Sequence, residues 1–65
     1  MIMKALLITD SKDRSMWYSK YIGRYVPLLD EEQIEYKSLE PAGYINFVLK
    51  KDCEVKEVSE KVKFY

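Results

Sequence analysis

Histidine is absent from this 65-residue sequence, and cysteine occurs once, at Cys53. Without histidine the commonest general base at neutral pH is missing, and the usual zinc ligand sets cannot be assembled. A single cysteine excludes an internal disulfide, and a reducing cytoplasm suits it best. Only two glycines and two prolines are present, so the composition is neither that of a linker nor that of a disordered chain. No apolar run approaches the length that crosses a bilayer: residues 1–9 are the most apolar stretch, broken by Lys4, and no small-residue cleavage site follows them. Neither membrane insertion nor secretion is indicated.

What remains is ordinary globular composition with many aromatics. Apolar residues make up 48% and charged residues 34%, enough to fold one core and no more at this length. Ordering the chain costs about 1.5 kcal/mol per residue, so nearly every large apolar side chain is expected to serve the core. Eleven basic and eleven acidic residues balance, but not evenly. Residues 1–29 hold five basic and two acidic groups, and residues 30–40 one basic and five acidic. The surface is therefore dipolar rather than basic.

Residues 1–9 read as a buried strand bounded by Asp10 and Ser11. Residues 10–23 form a long polar excursion in which Met16, Trp17, Lys20 and Tyr21 recur at helical spacing, so one helical turn is expected there, with Gly23 as a left-handed stop. Extended character resumes over residues 24–29, where Pro27 marks an edge or a bend. Asp30, Glu31 and Glu32 read as a polar turn. Residues 33–39 alternate, with Ile34 and Tyr36 on one face and Glu35 and Lys37 on the other. Pro41 and Gly43 then supply a hairpin turn. Residues 44–49 place Ile45, Phe47 and Leu49 on one face and Tyr44, Asn46 and Val48 on the other. Residues 53–58 fit a last strand, though Val55, Val58 and Val62 fit a helix too; the valines favour the strand. Residues 59–65 read as a solvated tail after a single domain spanning 1–58.

Five short strands, a long first loop and tight later turns predict a mainly β domain, a small closed barrel that removes the exposed edges of a flat sheet. Gly43, Tyr44, Ile45, Asn46, Phe47 and Val48, followed by Lys50, Lys51, Asp52 and Val55, resemble the closing segment of SH3-like barrels. The stretch from Ser11 to Tyr18, with Ile22, Gly23, Pro41, Ala42, Gly43, Tyr44 and Asn46, is similar to small uncharacterised proteins of bacteriophages and prophages of Firmicutes. The resemblance runs to about Val55 and implies a five-stranded SH3-like fold and a host cytoplasm as the setting. It departs from peptide-binding SH3 domains. Those carry an acidic first loop and a tryptophan opening the third strand, whereas this loop holds Lys12 and Arg14 and contains the only tryptophan. Recognition of proline-rich segments is therefore not carried over.

Catalysis has little to draw on: no histidine, no glycine-rich phosphate loop, and no partner to activate Cys53. Ser11 and Ser15 read as turn formers, and three consecutive carboxylates at 30–32 as a solvated turn rather than a metal site. No cofactor is implied, and the chain is expected not to be an enzyme. Binding is the alternative. Trp17, Tyr18 and Tyr21 with Arg14 and Lys20 in the first loop, and Tyr36 and Tyr44 on the strands, are the residue types that dominate interfaces. Trp17 can equally plug the barrel, which leaves Tyr18 and Tyr21 as the stronger contact candidates. A chain this size exposes roughly 4,400 Å², and a standard interface takes roughly 800 Å² of it. The resemblance implies a host protein as partner, a host enzyme or defence factor occluded by the bound chain. Single-stranded nucleic acid is the second expectation, gripped by Lys12, Arg14, Lys20 and Arg24 with tyrosines for stacking. Self-association through an edge strand is the third.

Overall fold

The computed structural model describes residues 2–65; Met1, expected to open the first strand, lies outside the described residues. Six strands follow one another: β1 (Ile2–Ile8), β2 (Tyr25–Pro27), β3 (Asp30–Glu31), β4 (Glu35–Leu39), β5 (Ile45–Leu49) and β6 (Cys53–Ser59). They form two antiparallel three-stranded sheets, ordered β2-β1-β6 and β3-β4-β5. Neither sheet closes on itself. Single 3₁₀ turns occupy Ser19–Tyr21 and Lys50–Asp52, the first of them where the helical spacing predicts a turn.

The expected second strand, residues 24–29, shortens to β2, and a sixth strand forms beyond it. Pro27 ends β2, and the chain bends through Leu28 and Leu29 before pairing with β4 as β3. The predicted polar turn at residues 30–32 thus contributes a two-residue strand. At the bend the sheets hold each other directly: Leu29 N–H donates to Lys37 O at 2.8 Å and Ser38 Oγ to Pro27 O at 2.6 Å. Two glycines turn the chain where left-handed backbone is needed. Gly23, at φ 82°, leaves the first 3₁₀ turn and donates its N–H to Ile8 O at 2.8 Å, which starts the β1–β2 ladder. Gly43, at φ 97°, follows Pro41 and Ala42 in the β4–β5 hairpin and donates to Glu40 O.

β1, expected to be a buried strand, is buried at Ala5, Leu6 and Ile8 but exposed at Ile2, Met3 and Lys4. Leu6 and Ile8 face inward opposite Val55 and Cys53, and join Val26, Val48 and Tyr18 in the core. On β4 and β5 the two-residue period holds, but the more apolar face points outward. Val48 is buried and Ser38 with it, whereas Ile45 is 62% exposed and Phe47 37%. Ile34 precedes β4 and is exposed. The expectation that nearly all large apolar side chains serve the core is thereby overturned. Ile2, Ile34, Tyr44 and Ile45 are more than half exposed.

Residues 60–65 also differ from the expected solvated tail. Phe64 bridges Tyr25 in parallel, Tyr65 N–H donates to Tyr25 O at 2.8 Å, and the Tyr65 hydroxyl donates to Leu39 O. Leu39 lies beyond the point where β2 peels off to join β1, so Tyr65 fills the gap that opens between the sheets. Its ring, packed on Tyr21 at 5.6 Å between centroids, explains the attraction. Burial pushes the Tyr65 hydroxyl above the usual tyrosine range, with a smaller contribution from Tyr21.

Candidate functional site

The first loop is ordered by its own polar side chains. Ser15 N–H and Oγ both donate to Asp13 Oδ1, at 2.9 and 2.6 Å. The Ser15 hydroxyl, then its N–H, hold the Asp13 carboxyl below its ordinary value. Ser11 Oγ donates to Asp13 O and Ser19 Oγ to Arg14 O, each at 3.0 Å. These serines form turns, as their setting predicts.

Thus fixed, the loop lays Trp17 and Tyr18 along β5. Lys50 N–H bonds Ile34 O and Glu40 N–H bonds Tyr44 O, so the even-numbered residues of β5 bond to β4. The backbone groups of Ile45, Phe47 and Leu49 turn to the free edge. Trp17 Nε1 donates to Phe47 O at 2.8 Å, and Leu49 N–H reaches the Tyr18 hydroxyl at 3.4 Å. The excursion therefore covers an edge that would otherwise invite pairing.

Tyr18 does so from inside. It is fully buried, and its hydroxyl donates to Asp52 Oδ2 at 2.5 Å; Asp52 is itself buried in the second 3₁₀ turn. Burial first, then the bond to Asp52, pushes the phenol well above its ordinary value. Tyr18 is thus corrected from a contact residue to a core residue, because a buried carboxyl needs a donor and this phenol is it. The aspartate also ties β1 to the turn, since its carbonyl accepts from Thr9 N–H at 2.8 Å and Asp10 N–H at 3.2 Å. Cys53, next to it, is buried, and desolvation followed by the Asp52 charge raises its thiol to about 11.

The remaining candidates divide between two places. Trp17 is half-buried with its indole on the β5 edge, and Tyr21 packs on it at 6.3 Å. The Lys20 ammonium sits 5.5 Å from the Tyr21 ring centre. Arg14 is exposed on the same loop, and among the described residues no carboxylate pairs with Lys12, Arg14, Lys20 or Arg24. Next to Trp17 runs the outward face of β4 and β5, where Ile45 lies opposite Leu39 and Phe47 opposite Lys37. Tyr44, 70% exposed, precedes β5 at the hairpin, at a position that alternates with this face. Sequence reasoning missed Ile45, Phe47 and Leu39, although their alternation marks them as one face; only the sign of that face was unreadable.

Tyr36 points the other way. It lines an open groove of about 520 Å³ between the sheets with Lys4, Leu28, Leu29, Asp30, Glu31 and Val55. Lys50 lies 5.2 Å from its ring centre and bonds Glu31 Oε2 at 2.6 Å. That bond holds the ammonium above its ordinary value. Tyr36 does not join the Trp17 surface.

Among the described residues no three Cys, Asp or Glu side chains gather to hold a metal ion. Among the described residues no helix is long and apolar enough to cross a membrane. No family, curated protein or solved structure matches this chain.

Proposed function

We propose that this chain is a non-catalytic binding protein that covers part of a partner protein with the outward face of β4 and β5 and the adjoining Trp17. The observation that carries this reading is the inversion of β5, which leaves Ile45 and Phe47 outside while Val48 and Ser38 are buried. A domain this small holds few large apolar residues, and a grouped set kept from its core is the usual mark of an interaction surface. Trp17 borders this face through its bond to Phe47 O, with Tyr21 packed on Trp17, Lys20 beside Tyr21 and Arg14 on the same loop; tryptophan, tyrosine and arginine are the residue types that act as interface anchors.

The finer fold belongs to the same proposal. A long loop after the first strand, a passage from β2 in one sheet to β3 in the other, and a 3₁₀ turn between the last two strands support an open variant of the SH3-like barrel. On the resemblance of the loop and hairpin to phage and prophage proteins of Firmicutes, the partner is a host protein, an enzyme or defence factor blocked by occlusion in the bacterial cytoplasm.

The test is capture from a Firmicute host lysate by the immobilised chain, beside Ile45→Asp and Phe47→Asp variants whose melting curves match the parent. The expected result is one stoichiometric partner, weakened about thirtyfold or more by either variant, the effect of losing a hot spot of about 2 kcal/mol. Repeated capture of no stoichiometric partner, or equal capture by the variants, overturns the reading. The unpaired Lys12, Arg14, Lys20 and Arg24 favour one alternative, single-stranded nucleic acid, which requires binding that weakens steeply with salt. A flat titration at low salt eliminates it.

A further inference from the structure

Most strand edges of this protein are covered. Trp17 and Tyr18 lie on β5, Tyr65 on β2, and β3 is only two residues long. The seven-residue β6 is the exception. Thr9 N–H donates to Asp52 O just beyond the Ile8–Cys53 pair. By alternation Glu54, Lys56 and Val58 bond to β1, while Cys53, Val55, Glu57 and Ser59 turn their backbone groups outward. Cys53 N–H is taken by Lys50 O, and Ser59 O by Val62 N–H. Among the described residues nothing meets the N–H or C=O of Val55 or Glu57.

We propose that this edge is the seam of a symmetric dimer, in which β6 of one copy lies antiparallel to β6 of a second. The charges on the strand select the register. Outward groups sit on odd-numbered residues, so a two-fold pairing must set odd against odd, and it can centre on Val55, Lys56 or Glu57. Centring on Lys56 sets lysine against lysine, and centring on Glu57 sets glutamate against glutamate, both unfavourable for directly opposed residues. Centring on Val55 sets valine on valine, and it puts Glu54 of each copy across from Lys56 of the other, twice. Val55 is 38% exposed and faces the groove, so the pairing covers it. Glu54 and Lys56 now pair within the chain at 3.0 Å, on the exposed outer face. In the dimer both reach across the seam, and the two sheets become one of six strands.

A seven-residue edge is about 24 Å long and its buried area falls below the roughly 800 Å² per partner of a standard interface. The dimer is therefore a weak one, formed between micromolar and millimolar concentration. Sedimentation equilibrium over that range at low salt, with amide hydrogen exchange of Val55 and Glu57 at both ends of it, tests the proposal. The parent chain dimerises, and the two amides become protected as concentration rises. Lys56→Glu sets Glu54 against glutamate twice and weakens the dimer about tenfold. Glu54→Lys combined with Lys56→Glu, which restores opposite charges at unchanged composition, returns it to within about threefold of the parent. A monomer at all concentrations, unprotected Val55 and Glu57 amides at the highest, or a dimer indifferent to Lys56→Glu overturns the proposal. So does a dimer broken by Ile45→Asp, which would place the seam on the other sheet.

Discussion

Replacing Tyr18 by phenylalanine removes one oxygen atom from the interior and leaves the ring in place. The lost hydroxyl donates to Asp52 Oδ2 at 2.5 Å and receives Leu49 N–H at 3.4 Å. A hydrogen bond to a charged group contributes about 1.5–3 kcal/mol, and the aspartate left behind is buried with no substitute donor nearby. The longer contact adds little. We expect a loss of about 2–3 kcal/mol, against a total of about 3–10 kcal/mol for a chain this size. At about 4–8 °C per kcal/mol, the melting temperature falls by about 10–20 °C. Urea unfolding followed by the fluorescence of Trp17, the only tryptophan, gives the free energy directly. Asp52→Asn retains an acceptor and costs less, so a double-mutant cycle isolates the pair. The pH dependence supplies an independent check. The folded phenol titrates above the usual value of 10, so the unfolded chain gives up its proton first. The stability from this group is whole below pH 10 and declines above it, by at most about 1.4 kcal/mol per unit. Tyr18→Phe removes that part of the alkaline decline. A Tyr18→Phe protein within about 0.5 kcal/mol of the parent, or with the same slope above pH 10, refutes the reasoning.

Two further expectations rest on other parts of the fold. Tyr65→Phe loses the bond to Leu39 O and should destabilise by about 1 kcal/mol, with faster hydrogen exchange concentrated in β2 and β4; an effect spread evenly over the chain would contradict the staple. Cys53, buried and raised to about 11, should be alkylated at neutral pH about 100-fold more slowly than the same thiol in unfolded chain, a consequence of the smaller thiolate fraction, and mass spectrometry that finds equal rates would show the thiol to be accessible.

Much of the fold was legible because two signals agreed wherever it was read correctly. Pro41 with Gly43 marks a hairpin, and the alternating residues on each side mark its strands. Residues 53–58 could be strand or helix by spacing, and β-branched valines decided for strand. What escaped notice depended on the third dimension. Tyr18 carries no local sign that Asp52, 34 positions away, would need its hydroxyl in the core. Phe64 and Tyr65 sit in a charged segment that looks solvated, yet a gap between sheets is a tertiary feature with no trace in neighbouring residues. The outward turn of Ile45 and Phe47 is the most instructive case. Their period was plain, but which of two faces meets the core depends on register, and it is Ser38 and Val48 that are buried.

The central place of β1 governs how the chain must fold. Ile2 pairs with Ser59, far along the sequence, so the most apolar segment waits until β6 has been made. Such distant pairing slows folding to milliseconds or longer, and during that wait Ile2–Ile8 is an unpaired, strand-prone stretch open to other chains. Yield during synthesis should therefore depend on how quickly β1 and β6 meet, more than on the strength of the finished interior.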